Sequence, residues 1–248
     1  LKEVRKRIPA DAYLQTGCDI VMGNPFLGEF FTNYRYGIDI GSGNWDYVRT
    51  NFLWGVACFA LHIGDLFVPN SDSVGLLPGL SDDEALFCLN YCLVTHSMVE
   101  IAGLLSEHQE HPRVRQLKKA VCNPNNGQDV YLARYDYRTA GTGWTPHFST
   151  LEGNPVLPLR TVGIFNTGED AKTIAFDPSD LNLSSGDYLL TDVWSGETLA
   201  FAAEVQFELR PHASRLFAVS RVTAAPQLLD ADIKIVSVVL EGNELALE

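Results

Sequence analysis

The sequence contains few basic residues. Lysine and arginine together number 18, against 31 aspartates and glutamates, so the formal net charge is −13. A nucleic-acid-binding surface needs clustered positive charge to displace counterions from the phosphates, and no basic stripe occurs here. The composition therefore argues against nucleic acid as a partner. It is compatible with a neutral ligand such as a sugar, as it is with many other ligands.

Long apolar runs are also missing. No run reaches the ~20 residues that a membrane-spanning helix requires, so we expect no membrane segment. The charged start, residues 1–7, is followed by no apolar segment of the signal-peptide type. It resembles the inside of a helix, which predicts that the chain is a piece of a longer protein.

Nothing in the sequence predicts a disulfide framework, a metal site or a cofactor. The five cysteines are odd in number and irregular in spacing, and reduced thiols favour a cytoplasmic location over secretion. Cys88 and Cys92 are four residues apart in a helical pattern and have no second pair, so they are interpreted as core residues. The histidines lack metal-ligand spacing, and no phosphate-binding loop occurs. The oligomeric state is not predicted.

The first part of the chain alternates short apolar runs with helical patterns, as βα units do. Strands are predicted over residues 13–16, 34–38 and 66–68, and a helix over 48–59. Ser81-Asp82-Asp83-Glu84 has the pattern of a capping box and predicts a helix that runs to about Ser97. This region, residues 1–110, is predicted as the α/β part of the chain.

The second part is predicted to be an antiparallel β-sandwich. Short strands follow one another at intervals of about 10–15 residues without helices between them. His111-Pro112 and the stretch 123–127 supply breaks, so we place the sandwich at residues 111–222 and a strand-rich segment or tail at 223–248. Trp194 and His212 are interpreted as packing or hydrogen-bonding within this domain. The predicted strands cover residues 130–135, 159–165, 172–176, 188–194, 204–209 and 214–219.

Three of the predicted strands end in groups that could contact a ligand. These ends are Gly17-Cys18-Asp19, Gly37-Ile38-Asp39 and Asn70-Ser71-Asp72. In parallel α/β barrels the reactive residues lie where strands end and loops begin. Cleavage of a glycoside usually requires two carboxyl groups about the sugar, so converging strand ends of this kind could form a carbohydrate site.

Asp39 is the candidate proton donor. Arg35 lies four residues earlier, on the same side of an extended segment, and could bind a sugar hydroxyl or pair with the acid. Gly37 would leave the backbone bare beside a ligand, and Trp45 offers an apolar face to a sugar ring. From the spacing alone, a structural ion pair between Arg35 and Asp39 at a barrel rim is the favoured interpretation.

Four motifs in residues 1–107 occur in an order that resembles a known family. Leu14-Gln15-Thr16-Gly17-Cys18 is followed by Arg35-Tyr36-Gly37-Ile38-Asp39 with Trp45 behind it, then by Phe67-Val68-Pro69-Asn70-Ser71-Asp72 and by Gly79-Leu80-Ser81-Asp82-Asp83-Glu84. This set is similar to the second half of the catalytic barrel of the α-galactosidases, the melibiase group of glycoside hydrolases. Residues 165–169, 192–197 and 211–217 are similar to the C-terminal sandwich of the same enzymes.

The resemblance implies a fold and a mechanism. The fold is α/β followed by all-β: the last strands and helices of a (β/α)8 TIM barrel, then an antiparallel β-sandwich. The activity implied is that of a retaining α-galactosidase that cleaves terminal α-galactosyl residues, with a carbohydrate substrate and no cofactor. Asp39 matches the family's general acid/base, and Arg35 and Cys18 match substrate-contacting residues. A buried core thiol is the alternative for Cys18.

The sequence departs from the family pattern at two places. The Lys-x-Asp strand end that carries the family's nucleophile does not occur in these residues, so we expect the nucleophile upstream and expect this piece alone to be inactive. Asn70-Ser71-Asp72 keeps only the last aspartate of the family's acidic pair, and Asp72 is expected to support the barrel mouth. Two alternatives stay open: a related glycosidase with another sugar specificity, and a non-catalytic carbohydrate-binding protein on a decayed barrel.

Overall fold

The computed structural model describes residues 2–16, 29–35, 37–62, 68–95, 97–122, 129–130, 134–135, 142–148, 160–229 and 238–247. Helices and parallel strands alternate up to residue 122, and antiparallel strands follow. The predicted sequence of an α/β region and then a β region is therefore confirmed. Within these ranges, none of the helices combines the length and the apolar character needed to cross a bilayer.

The described part of the α/β region contains two small parallel sheets. One has three strands that pair in chain order, and the other has two. The strand predicted over 34–38 ends earlier, at Arg35, which leaves Asp39 in the connection that leads to a helix. The strands are β1 (Gln15–Thr16), β2 (Asn33–Arg35) and β3 (Val68–Asn70) in the first sheet, and β4 (Ser73–Gly75) and β5 (Glu100–Ala102) in the second.

Four α-helices are described. The capping box predicted at Ser81 is confirmed, since Ser81 Oγ accepts from the Glu84 backbone N–H at 3.3 Å and Glu84 Oε2 accepts from the Ser81 N–H at 2.8 Å. The helix that it opens ends at Val94, three residues before the predicted end. The helices are α1 (Lys2–Arg5), α2 (Trp45–His62), α3 (Asp82–Val94) and α4 (Pro112–Cys122).

Helix α4 begins where the sequence predicted a break. Pro112 is its first residue, and proline is tolerated in the first turn of a helix because the N–H it lacks would have no helical partner there. Val114, Leu117 and Ala120 follow at helical spacing and are buried, and α4 packs against α3 and β4. The predicted division of the chain at residue 110 stays a prediction.

Among the described residues, the β region has two packed antiparallel sheets and a separate hairpin. The strands are β6 (Asp129–Val130), β7 (Arg134–Tyr135), β8 (Thr142–Phe148), β9 (Arg160–Asn166), β10 (Lys172–Phe176), β11 (Tyr188–Asp192), β12 (Thr198–Ala200), β13 (Val205–Leu209), β14 (Ser214–Arg221), β15 (Val238–Glu241) and β16 (Glu244–Leu247). The larger sheet has the order β12-β11-β14-β9-β8-β6, with β7 also paired to β8. Strands β10 and β13 form the second sheet, and β15 and β16 form the hairpin. Strands β8 and β12 were not predicted.

The larger sheet is covered on both faces. Along β14, Phe217 and Val219 belong to the core shared with β10 and β13, whereas Leu216 and Ala218 belong to the core shared with α3. Phe165 of β9 lies on the α3 side, with its ring centroid 4.9 Å from that of Phe87. The β-sandwich is therefore joined to the α/β region by a continuous apolar core.

Buried polar contacts cross the same boundary. Asn90, on α3 and fully buried, accepts from Nε1 of Trp194 at 2.7 Å and donates to Oγ of Ser214 at 2.9 Å. Trp194 was predicted to pack or hydrogen-bond within the sandwich. Its backbone N–H does so, with Oδ1 of Asp192, whereas its indole N–H reaches α3. Because Asn90 is buried, leaving either of its groups without a partner would cost roughly 1–3 kcal/mol.

Candidate functional site

Asp39 lies just beyond the carboxyl end of β2. Because β1, β2 and β3 are parallel, their carboxyl ends lie along one edge of the sheet, and Arg35 is in register with Asn70 there. The side chain of Asp39 is 72% exposed. In α/β enzymes the reacting groups lie at the carboxyl edge of the parallel strands. The exposed carboxylate of Asp39 lies at such an edge.

The guanidinium of Arg35 connects two carboxylates. Its Nη2 contacts Oδ1 of Asp39 and lies 2.8 Å from Oδ2 of Asp72. The side chains of Arg35 and Asp72 are only 14% and 7% exposed. Arg35 therefore joins a solvent-facing carboxylate to a buried one, an arrangement that serves either a structural ion pair or a site that binds a polar ligand.

Asp72 connects the end of β3 to the residue that follows Asp39. Its backbone is left-handed, with φ 77°, and its N–H donates to Oδ1 of Asn70 at 2.8 Å. Its Oδ2 accepts from the backbone N–H of Ile40 at 2.7 Å. This geometry is compatible with the supporting role predicted for Asp72, which stays a prediction.

Asn51, on α2, is a site residue that sequence reasoning missed. Its Oδ1 accepts from the backbone N–H of Ile38 and its Nδ2 donates to the carbonyl of the same residue, both at 2.8 Å. The available signal was its spacing: Asn51 lies three residues after Val48 and one before Phe52, on the helix face that these two apolar residues share. Its side chain also fills the space beside Gly37, which had been interpreted as open to a ligand.

Trp45, the first residue of α2, is half-buried at the boundary with the sandwich. Its ring stacks on that of His212 with centroids 4.2 Å apart and meets Phe87 edge-on at 5.1 Å. One face of the indole is thus covered by protein, and the predicted contact with a sugar ring stays a prediction. Cys18 lies outside the described residues, so its predicted role is untested as well.

His212 bridges two carboxylates. Its Nδ1 lies 2.7 Å from Oε1 of Glu84 on α3, and its Nε2 lies 3.1 Å from Oε2 of Glu169. Burial raises the pKa of Glu84, but hydrogen bonds from Ser81 and His212 outweigh burial, so the net pKa lies below the ordinary value. His212 was predicted to pack or hydrogen-bond within the sandwich. Its contact with Glu169 lies there, whereas its contact with Glu84 extends to α3.

The described residues contain no cluster of three or more histidine, cysteine, aspartate or glutamate side chains that could hold a metal ion. The polar groups near Asp39 at the sheet edge include the carboxylate of Asp72, the guanidinium of Arg35 and the carboxamides of Asn51 and Asn70. Such a set can bind hydroxyl groups and move a proton.

Comparison with known proteins supports the fold described above. Residues 153–219 match the family described as the alpha galactosidase C-terminal beta sandwich domain. The predicted resemblance to the α-galactosidases is confirmed. No curated protein matches the chain in sequence.

Solved structures of sugar-cleaving enzymes share the fold. A GH27 β-L-arabinopyranosidase from Geobacillus stearothermophilus matches with a TM-score of 0.74 at 18% identity, over 90% of this chain and 54% of that one. Alpha-galactosidase I from Mortierella vinacea matches with a TM-score of 0.63 at 15% identity, over 80% and 56%. Isomalto-dextranase from Arthrobacter globiformis T6, complexed with panose, matches with a TM-score of 0.57 at 19% identity, over 78% and 35%.

These likenesses concern the fold. The chain spans about half the length of the arabinopyranosidase and the Mortierella α-galactosidase. The α-galactosidase-type sandwich follows an α/β region whose parallel strands carry Arg35 and precede Asp39.

Proposed function

We propose that the chain is part of a retaining glycosidase of the α-galactosidase type, in which Asp39 is the general acid/base. The strands β1–β5 would be the last strands of a (β/α)8 barrel. The nucleophilic carboxylate would come from a segment outside these 248 residues, so this piece alone would have no turnover. The substrate would be a carbohydrate with a terminal α-galactosyl residue.

The observation that carries the proposal is the position of Asp39. An exposed carboxylate lies at the carboxyl edge of a parallel sheet, beside a largely buried arginine, in a chain whose fold matches those of sugar-cleaving enzymes. Glycosidases need a carboxyl group that can reach the glycosidic oxygen from the solvent-filled mouth of the site. This position and this exposure support the proposed role of Asp39.

The proposed reaction has two steps. In the first, the nucleophile attacks the anomeric carbon, the glycosidic bond breaks, and the carboxyl proton of Asp39 passes to the leaving oxygen. In the second, water attacks the anomeric carbon of the glycosyl-enzyme and gives a proton to the Asp39 carboxylate, which releases the sugar and restores both carboxyl groups. The anomeric configuration is retained because it is inverted twice.

Arg35 and Asp72 would assist this chemistry. In each cycle Asp39 alternates between a neutral and a negatively charged form, and the guanidinium of Arg35 beside it would stabilise the charged form. Asp72 balances the charge of Arg35 and holds its head group at 2.8 Å. The guanidinium of Arg35 could also donate a hydrogen bond to a sugar hydroxyl.

The sugar specificity is the open part of the proposal. The three solved structures are an arabinopyranosidase, an α-galactosidase and an isomalto-dextranase, so one scaffold is compatible with several sugars. A β-arabinopyranoside, an α-N-acetylgalactosaminide or an α-glucan is the alternative substrate. A panel of nitrophenyl glycosides, applied to the complete protein, would identify the preferred sugar.

The test of the mechanism is Asp39→Ala in the complete protein. We expect turnover of an unactivated galactoside to be abolished, whereas 2,4-dinitrophenyl α-galactoside, whose leaving group needs little protonation, should lose much less. Asp46→Ala is the matched control, because Asp46 is 76% exposed and is likewise paired with an arginine, Arg49. Unchanged hydrolysis of both substrates by Asp39→Ala would overturn the assignment.

A non-catalytic carbohydrate-binding protein is the second candidate function. Ser71, which stands where the family pattern has an acidic residue, is the observation that favours it. In that case the complete protein would bind galactosides in calorimetry without hydrolysing any of the nitrophenyl glycosides. Hydrolysis that depends on Asp39 would exclude it.

A further inference from the structure

We propose that Asn51 is a positioning residue for the catalytic acid, because its buried side chain fixes the backbone immediately before Asp39. The inference rests on the proposed function of Asp39. It concerns a residue of helix α2, whose buried side chain bonds to the connection between β2 and α2.

The first support is the pair of hydrogen bonds between Asn51 and Ile38. The carboxamide accepts from the N–H and donates to the C=O of one residue, both at 2.8 Å, and Asn51 is only 2% exposed. It thereby replaces the two hydrogen bonds that a neighbouring strand would supply to Ile38. Because both polar groups of Ile38 are held, the peptide that enters Asp39 has a fixed orientation.

The second support is the close approach of Gly37 to Asn51. A Cβ atom added to Gly37 would lie 2.3 Å from Cγ of Asn51, which no real contact allows. The φ of Gly37 is not left-handed, so its backbone conformation would accept an alanine. The glycine is therefore required by the side chain of Asn51, and the two residues form one unit.

The third support lies on the other side of the acid. The N–H of Ile40 is held by Oδ2 of Asp72 at 2.7 Å. Asp39 thus stands between two anchored residues, Ile38 and Ile40, while its own side chain is exposed. The position of the carboxyl group then depends on these anchors together with its contact with Arg35. A displacement of about 1 Å in a catalytic group can reduce the rate about 100-fold.

The experiment compares Asn51→Ala with the wild type in the complete protein, using an unactivated galactoside and the dinitrophenyl galactoside. We expect kcat for the unactivated substrate to fall about 10- to 100-fold, with KM changed little and the activated substrate affected much less. Asn51→Asp, which has nearly the same volume and keeps the acceptor for the Ile38 N–H, should show the same pattern if Asn51→Ala fails to fold.

Asn90→Ala is the matched control. Asn90 is also a buried asparagine on a helix with two hydrogen bonds, but its partners are Trp194 and Ser214. It should lower the melting temperature without separating the two substrates. If Asn51→Ala lowered activity on both substrates by one common factor, Asn51 would have only a structural role. The inference would then be overturned.

A double-mutant cycle with Gly37 tests the same unit. Gly37→Ala alone should impair the unactivated substrate, because the new methyl group displaces Asn51. Combined with Asn51→Ala, it should add little further loss, since the obstructing atoms are gone. Full additivity of the two losses would contradict the inference.

Asp39→Ala, measured on the same two substrates, separates the two proposals. If Asp39→Ala shows no dependence on the leaving group, the proposed function itself fails. If Asp39→Ala shows that dependence and the Asn51 variants do not, the proposed function stands and only the role of Asn51 is rejected.

Discussion

The indole ring of Trp45 stacks on the imidazole of His212, with an interplanar angle of 22°. Trp45 begins the helix that follows Asp39, and His212 lies between two strands of the sandwich, β13 and β14. The same imidazole contacts Glu84 at the start of α3. One histidine therefore connects the sandwich to the beginnings of two helices of the α/β region.

His212→Asn should destabilise the protein. Asparagine accepts the left-handed backbone of this position, φ 59°, so the change removes the stacking and the ring contacts with little added strain. We expect the free energy of unfolding to fall by about 1–3 kcal/mol in urea titrations, since an aromatic pair and a hydrogen bond to a carboxylate are lost. His108→Asn, at an exposed histidine, should change it by less than about 0.5 kcal/mol. Equal effects would show that the contacts of His212 contribute nothing.

Glu84→Gln should alter the response of stability to acid. The pKa of Glu84 is lower in the folded protein than its ordinary 4.5. Such a carboxyl contributes stability that is complete above the unfolded pKa and is lost as the pH falls through the folded value. The wild type should therefore exceed the variant in melting temperature at pH 7, and this advantage should shrink below about pH 4.5. An advantage of the wild type that is the same at pH 7 and pH 3 would contradict the prediction. Glu107→Gln, at an exposed glutamate, is the control.

Trp194→Phe should cost more than Trp45→Phe. Trp194→Phe removes the indole N–H that donates to Oδ1 of Asn90. This buried oxygen then lacks a donor, at a cost of roughly 1–3 kcal/mol. Nε1 of Trp45 is also buried, but it has no hydrogen-bond partner among the described residues, so its loss removes no such bond. Urea titration of the two variants measures the difference. A larger loss for Trp45→Phe would show that ring area, and not the hydrogen bond to Asn90, dominates.

Cys88 and Cys92 should resist thiol reagents in the folded protein. Burial raises the pKa of Cys92 to about 12, and burial together with the neighbouring Cys92 raises that of Cys88 well above its ordinary range. The thiolate is the reactive form, so iodoacetamide at pH 8 should label these two residues only after denaturation. Mass spectrometry of the peptides reports each cysteine separately. Rapid labelling of either residue in the native protein would contradict their burial in α3.

The sequence was sufficient for the elements with local signals. The capping box of α3 was recognised because both of its hydrogen bonds lie within Ser81–Glu84. Most sandwich strands were recognised as short strands separated by turn-rich stretches. Strand β8 was missed because it contains Gly143 and Pro146, which usually interrupt strands, and β12 because it is short and exposed. Proline was also the difficulty in α4: Pro112 was interpreted as a break between elements, although it is the first residue of the helix.

The site residues also fall into those with a local sequence signal and those without one. Asp39, Arg35 and Asp72 stood out because each is a charged residue at or near a strand end, and the structure brings the three together. Asn51 is neither charged nor at a strand end, so this signal does not apply to it. Its proposed role rests on hydrogen bonds to Ile38, thirteen residues earlier in the chain. The stacking of Trp45 on His212 joins residues much farther apart in the chain, and no local pattern indicates it.

The burial of both faces of the seven-stranded sheet limits how modular the sandwich can be. If the sandwich were excised or transplanted, Phe165, Leu216 and Ala218 would lose the apolar cover that α3 provides. A chimera would therefore need to carry α3 along with the sandwich, or to replace these side chains with polar ones. Substitutions on one side of this boundary constrain those on the other, so the two parts would be expected to change together.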